Sequence, residues 1–210
     1  MDLIDVKGDV VTIDAMGCQR EIARKIVDKQ ADYVLAVKGN QPDLHDVIKD
    51  YYLNTDEQPV CIEHEKNRDR IERREYFLCT DEKFVQSLGN GKWTNLQVVG
   101  MVRSTVTHKD GKTTVAQRYY ITTLRSPEKF TKSVRGHWSI ESMHWTLDVV
   151  FGEDKNRTKR DHAPKNLNIL RKTAMTLLAN LEVGVTRPSY RLKMLAVQLD
   201  PEKHLAELFT

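Results

Sequence analysis

Two short runs of β-branched and apolar residues, Val10-Val11-Thr12-Ile13-Asp14-Ala15 and Tyr33-Val34-Leu35-Ala36-Val37, enclose a segment with helical spacing. That order constrains the chain more than any other feature. Ile22, Ala23, Ile26 and Val27 recur at the helical period through about Lys29. The second run stops at the turn Lys38-Gly39-Asn40-Gln41, after which Pro42 suits the first position of another helix whose Leu44, Val47, Ile48 and Tyr51 share a face. Runs this apolar are buried on both faces of a sheet, and alternation with helices puts such strands in parallel. The opening therefore predicts a parallel α/β unit.

Beyond residue 60 the period changes. Arg70 to Cys79, Leu96 to Thr107 and Thr114 to Leu124 read as longer, more polar strands, the last two joined by a hairpin-type turn at His108-Lys109-Asp110-Gly111. A charged run from Lys66 to Arg74, with Glu65, Asp69 and Glu72 interleaved, reads as the solvent face of a strand. Helical spacing returns after Ser126-Pro127 and holds to about Phe151, and a further amphipathic helix carries Leu167, Leu170, Ala174, Leu177, Leu178 and Leu181. This gives residues 1–59 as the first part of an α/β core and 60–125 as an inserted antiparallel β region. Residues 126–182 return to the core as two helices, and 183–210 form a C-terminal tail.

The 210 residues, 40% hydrophobic, suffice for one large domain or one domain carrying an insertion. No apolar run approaches the roughly 20 residues a membrane-spanning helix needs, and the N-terminus lacks the pattern of a signal peptide, so a cytoplasmic protein without a membrane partner is expected. Cys18, Cys61 and Cys79 have no Cys-x-x-Cys spacing and read as reduced packing residues. A net charge of +3 says little about partners. Its distribution says more: Lys155, Arg157, Lys159, Arg160 and Lys165 follow one another closely, with Arg171 and Lys172 beyond. Such groups neutralise phosphates without reading base sequence. With Glu153, Asp154 and Asp161 interleaved, a solvated loop is the competing interpretation. Lys38 is a single candidate phosphate contact, or an ordinary turn lysine.

Two places carry chemistry. On a helix, His137, Glu141, His144 and Asp148 fall in one stripe because they are four, three and four positions apart. Trp138 and Trp145 flank the stripe on one side and Ile140, Leu147 and Phe151 on the other, which predicts that it lines a cleft rather than open solvent. A helix edge with incidental polar residues is the plainer alternative. Asp14 ends an apolar strand before a glycine-containing turn, where open α/β sheets place their ligand sites, or where an aspartate caps the next helix. Joined to Glu141, it would supply hard oxygen ligands to Mg²⁺ or Mn²⁺, which activate an attacking water or 3′-hydroxyl in phosphodiester chemistry. Glu141-x-x-His144 also has the ligand spacing of di-iron carboxylate bundles, but no second Glu-x-x-His occurs.

Several segments together resemble the H-repeat-associated transposases of bacterial insertion sequences: Val11 to Gln19, Asp32 to Gln41, His137 to Glu141, His144 to Val149, Glu153-Asp154 and Asn166-Leu167. The resemblance covers residues 6–182. It implies a DDE transposase with an RNase H-like core, in which Asp14 is the second and Glu141 the third acidic residue of a metal-binding triad. It further implies Mg²⁺ or Mn²⁺ as cofactor and DNA, both transposon ends and target, as partner, and leaves self-association open. Related transposases frame the glutamate with a tyrosine, an arginine and a lysine where this sequence has Val134, His137 and Asp148. Phosphate gripping then falls to His137, Lys155, Arg157, Lys159 and Arg160, with His144 and Asp148 in support. The family's first aspartate lies on a strand well upstream, and Asp2 and Asp5 stand too close to Val10 to occupy one. The expectation is thus an α/β, RNase H-like core lacking its first strands, with an inserted antiparallel β region and C-terminal helices. Its two functional alternatives are a truncated transposase and a non-catalytic DNA-binding remnant.

Overall fold

The computed structural model describes residues 4–67 and 70–208; Asp2 and Asp69 lie outside them. Strand β1 (Val10–Ile13) pairs in parallel with β2 (Asp32–Val37), and helix α1 (Arg20–Asp28) connects them. Pro42 opens α2 (Pro42–Leu53), where its missing N–H costs no helical hydrogen bond. The remaining strands are β3 (Cys61–Asn67), β4 (Arg70–Cys79), β5 (Val98–His108) and β6 (Thr113–Thr122), all antiparallel to their neighbours. They extend the parallel pair into one six-stranded sheet of order β1-β2-β6-β5-β4-β3. The fold is mixed α/β with a curled sheet, and β3 and the short helix α3 (Glu82–Ser87) add to the elements expected from the sequence.

Alternate residues of each strand face opposite sides. On one side Tyr33, Leu35, Val37, Phe77, Val99, Met101, Tyr119 and Ile121 pack with Ala23 and Ile26 of α1 and with Leu44, Ile48 and Tyr52 of α2. On the other, Tyr76 and Tyr120 each meet the Phe130 ring edge to face, with centroids 6.5 and 5.8 Å apart. Phe130 and Val134 are the buried apolar residues of α4 (Pro127–Trp145).

The absence of a side chain at Gly100 lets α4 come this close. A Cβ there would stand 2.5 Å from Cζ of Phe130, whose ring is wholly buried. Gly100→Ala is expected to cost about 1–3 kcal/mol, as overpacking does. Gly136→Ala, on the same helix and with nothing within 4 Å of the new methyl, should instead be neutral or stabilise by up to about 1 kcal/mol through helix propensity. Thermal denaturation of the two variants side by side checks the contrast.

The charged run does not form a solvent face. Glu72 and Arg74 are buried because the period-2 strand turns them toward the side that carries Tyr76 and α4, and Glu75, on the opposite side, is buried beside Arg73, to which it pairs at 2.8 Å. Burial is tolerable because the charges pair. Arg74 reaches Glu65 at 2.8 Å and Glu72 at 2.5 Å, while Arg135 of α4 reaches Glu65 at 3.2 Å and Glu63 at 3.6 Å. The Tyr76 hydroxyl donates to Glu63 at 2.8 Å. Arg74, hydrogen-bonded to Glu65, holds that carboxyl below its usual range.

The chain divides into two compact units, one ending at His137 and one beginning at Trp138. In the second, α4 ends and a π turn (Thr146–Val150) buries Leu147. Then follow α5 (Ala163–Asn180), α6 (Tyr190–Leu199) and α7 (Pro201–Leu208). The expected tail therefore contains two helices. Ser189 caps α6 by accepting from Leu192 N–H at 3.2 Å, and Lys193 donates to the Leu178 and Ala179 carbonyls at 2.7 and 2.8 Å, satisfying the end of α5.

Candidate functional site

Parallel pairing brings the C-terminal ends of β1 and β2 together, in register Ile13 opposite Leu35. The turns leaving those ends carry Asp14 and Lys38. After Asp14 the chain closes a 3-10 turn (Ala15–Gly17), with Gly17 N–H donating to the Asp14 carbonyl at 2.9 Å. Gly17 packs against Ile13: a Cβ there would sit 2.3 Å from Ile13 Cγ2. The second turn is stitched to the first. Asn40 donates its side-chain N–H to the Ala15 carbonyl, Gln41 donates Nε2 to the Cys18 carbonyl at 3.0 Å, and Gln41 N–H closes onto the Lys38 carbonyl at 3.0 Å.

The Asp14 side chain does not cap the following turn; it pairs with Lys38, Nζ to Oδ1 at 3.0 Å. Both side chains are more than half exposed, at 62% for Asp14 and 55% for Lys38. The adjacent Ala15 N–H, then the Lys38 ammonium, hold the Asp14 carboxyl below its usual range, and nearby His137 contributes in the same direction. Asp14 is therefore an ionised, accessible hard ligand at neutral pH. His137, half-buried on α4, has Nδ1 3.1 Å from Thr12 Oγ1 of β1. The first unit thus brings together Asp14, Lys38 and His137.

Glu141, His144 and Asp148 belong to the second unit. Glu141 and His144 are exposed, and so is the flanking Trp145, at 61%. Of the apolar residues flanking the stripe, Leu147 is fully buried, while Ile140 and Trp145 are exposed. Asp148 lies on the π turn, whose wider winding takes it off the 3.6-residue stripe that the spacing assumed. Lys155, Arg157, Lys159 and Arg160 are exposed along the irregular segment before α5, and among the described residues none of them forms an ion pair. That segment is held by local bonds, including Asn168 Nδ2 donating to Glu153 and Thr158 N–H to Asn156.

Among the described residues no three His, Cys, Asp or Glu side chains converge as a ready metal site. Asp14 is a single ligand, chemically suited to a hard divalent cation. The stitching roles of Asn40 and Gln41 had no signal in the sequence beyond a polar turn.

The chain matches the family model described as "Transposase DDE domain" over residues 1–177. It is 35% identical over 203 residues to the "Putative transposase YncI" of Escherichia coli O157:H7, which covers 89% of this chain and 50% of that protein. "Putative protein YbfL" and "H repeat-associated putative transposase YhhI" of Escherichia coli strain K12 are 34% and 33% identical over 194 residues, covering 87% of this chain and 50% of each relative. The chain spans about half the length of these curated relatives. No helix among the described residues is long and apolar enough to cross a membrane.

Proposed function

The chain belongs to the transposase DDE-domain family, and from that premise we propose that it contributes two acidic residues, Asp14 and Glu141, to an RNase H-like, metal-dependent core that cuts and joins DNA strands. The observation that carries this reading is the accessible, ionised Asp14 carboxylate at the C-terminal end of a parallel strand pair. Carboxylate oxygens suit Mg²⁺ or Mn²⁺, and the bound ions would activate a water or 3′-hydroxyl and stabilise the leaving oxygen. Asp14 holds its charge without a further proton to lose. His137 and Lys38 stand beside it as donors toward a phosphate, and Lys155, Arg157, Lys159 and Arg160 supply further cations for the DNA backbone. His144 and Asp148 are assigned supporting roles on the Glu141 helix and the turn that follows it.

Recognition on these terms is dominated by phosphates. Affinity for duplex DNA is expected to be weak, tolerant of sequence and steeply lowered by salt, with the slope shallower by about 0.9 for each phosphate that is no longer neutralised. Neutralising Lys155, Arg157, Lys159 and Arg160 together should flatten the slope measured by fluorescence anisotropy. An unchanged slope would move the DNA path elsewhere. A second reading, a DNA-binding remnant without catalysis, rests on the exposed basic residues Lys155, Arg157, Lys159 and Arg160 alone. It keeps the salt dependence and forbids Asp14-dependent cutting in any length of the protein.

A further inference from the structure

We propose that Thr12 is a positioning residue for His137: its hydroxyl fixes the imidazole through Nδ1, so that the Nε2–H is the donor offered to a phosphate of the nucleic acid. The inference rests on the reading of His137 as a phosphate contact and adds the residue that aims it.

Both residues belong to the first compact unit, Thr12 on β1 and His137 on α4, 125 positions apart, with Oγ1 3.1 Å from Nδ1. Both side chains are half-buried. Among the described residues this is the one hydrogen bond that either side chain makes. Strand and helix are each fixed without it. β1 pairs in parallel register with β2, Thr12 opposite Val34, and α4 is docked by the buried Phe130 and Val134 and by Arg135, which reaches Glu65 at 3.2 Å. What the bond governs is therefore the ring, not the fold.

An imidazole turns about χ2 in a broad, roughly two-fold well, and when neutral it carries a hydrogen on only one of its nitrogens. A ring without a partner can thus present either nitrogen, with or without a hydrogen. A threonine hydroxyl resolves both ambiguities because it can donate or accept. Beside a neutral ring, Thr12 has no other acceptor among the described residues, so its hydroxyl donates to Nδ1 and the ring hydrogen sits on Nε2. Beside an imidazolium, Nδ1–H donates and the hydroxyl accepts. In both forms Nε2 keeps its hydrogen.

The location suits the task. Period-2 alternation in the extended backbone puts Thr12 and Asp14 on the same side of the chain, and Asp14 pairs with Lys38 at 3.0 Å. The ring that Thr12 holds stands at the same end of the sheet as the Lys38 ammonium, so both donors are presented together.

Variants of the whole 210-residue chain test this. The tautomer is read from the ¹⁵N chemical shifts of the imidazole, and affinity from the anisotropy of a labelled DNA duplex. Thr12→Val keeps the β-branched shape that suits a strand and removes the hydroxyl. It should change the His137 signals from one tautomer to an averaged mixture and weaken duplex binding about two- to tenfold, the scale of one hydrogen bond. Thr12→Ser, which restores a hydroxyl, should recover both. His137→Phe should weaken duplex binding at least as much as Thr12→Val does, and adding Thr12→Val to it should cause no further loss, because the two act through one contact. A further loss in the double variant shows that Thr12 does not act through His137 and overturns the positioning role. An unchanged tautomer or an unchanged affinity in Thr12→Val, with His137→Phe still weakening binding, overturns the positioning role and leaves the phosphate reading standing. If His137→Phe leaves binding unchanged, the phosphate reading of His137 falls and the positioning role falls with it.

Discussion

In this chain extended by a family-like N-terminal segment, Asp14→Asn and Glu141→Gln are each expected to lower cleavage of transposon-end DNA by about 10²–10³-fold, the scale on which removing one preorganised electrostatic group acts. Each change removes a metal-binding charge and almost no volume, so duplex binding should persist. The decisive assay sets the 210-residue chain beside the same chain joined to a family-like N-terminal segment that carries an aspartate on its own strand. The shorter protein is expected not to cut, because Asp14 and Glu141 are two carboxylates where the two-metal mechanism calls for more. Glu141-dependent cutting by the shorter protein would mean that a third ligand is already present in it. Cutting by the longer protein that survives Glu141→Gln would remove Glu141 from the site.

Phe130→Ala should be the most destabilising single substitution on α4, costing about 3–5 kcal/mol. The ring is wholly buried, meets both Tyr76 and Tyr120, and fills the space that Gly100 leaves open. Against the roughly 5–15 kcal/mol that typically separates folded from unfolded domains, that is a large share. Trp145→Ala, at the other end of the same helix, removes a larger ring that is 61% exposed. It should change stability by about 0.5 kcal/mol or less. Urea unfolding of both variants would distinguish them, and a small effect at Phe130 would show that α4 does not depend on this ring to dock on the sheet.

The contrast between those two aromatics marks where reading a sequence ends. Periodicity identifies α4 and its residues, yet both Phe130 and Trp145 are large apolar side chains on one helix, and which is buried depends on the surface opposite. The same holds for the charged run before Cys79. Glu72 and Arg74 look like solvent-facing residues, and only the β3-β4 register, with Glu63 opposite Arg74 and Glu65 opposite Glu72, provides the partners that make their burial tolerable. Strand β3 itself, Cys-Ile-Glu-His-Glu-Lys-Asn, carries too few apolar residues to stand out and is recruited by pairing with β4.

By itself the sequence determined the parallel β1-α1-β2 opening, the place of Asp14 at the end of its strand, the β5-β6 hairpin, the long helix after Pro127 and, through its motifs, the family. These are local matters: side-chain period, proline and turn chemistry act within a few residues of where they are read. Tertiary structure decided that the strands between residues 60 and 125 continue the same sheet, that residues beyond 183 include two helices, and that Lys38 lies on Asp14. Those outcomes depend on backbone hydrogen bonds and packing between residues far apart in sequence, such as the tie from Asn40 to Ala15, and such pairings have no period to betray them.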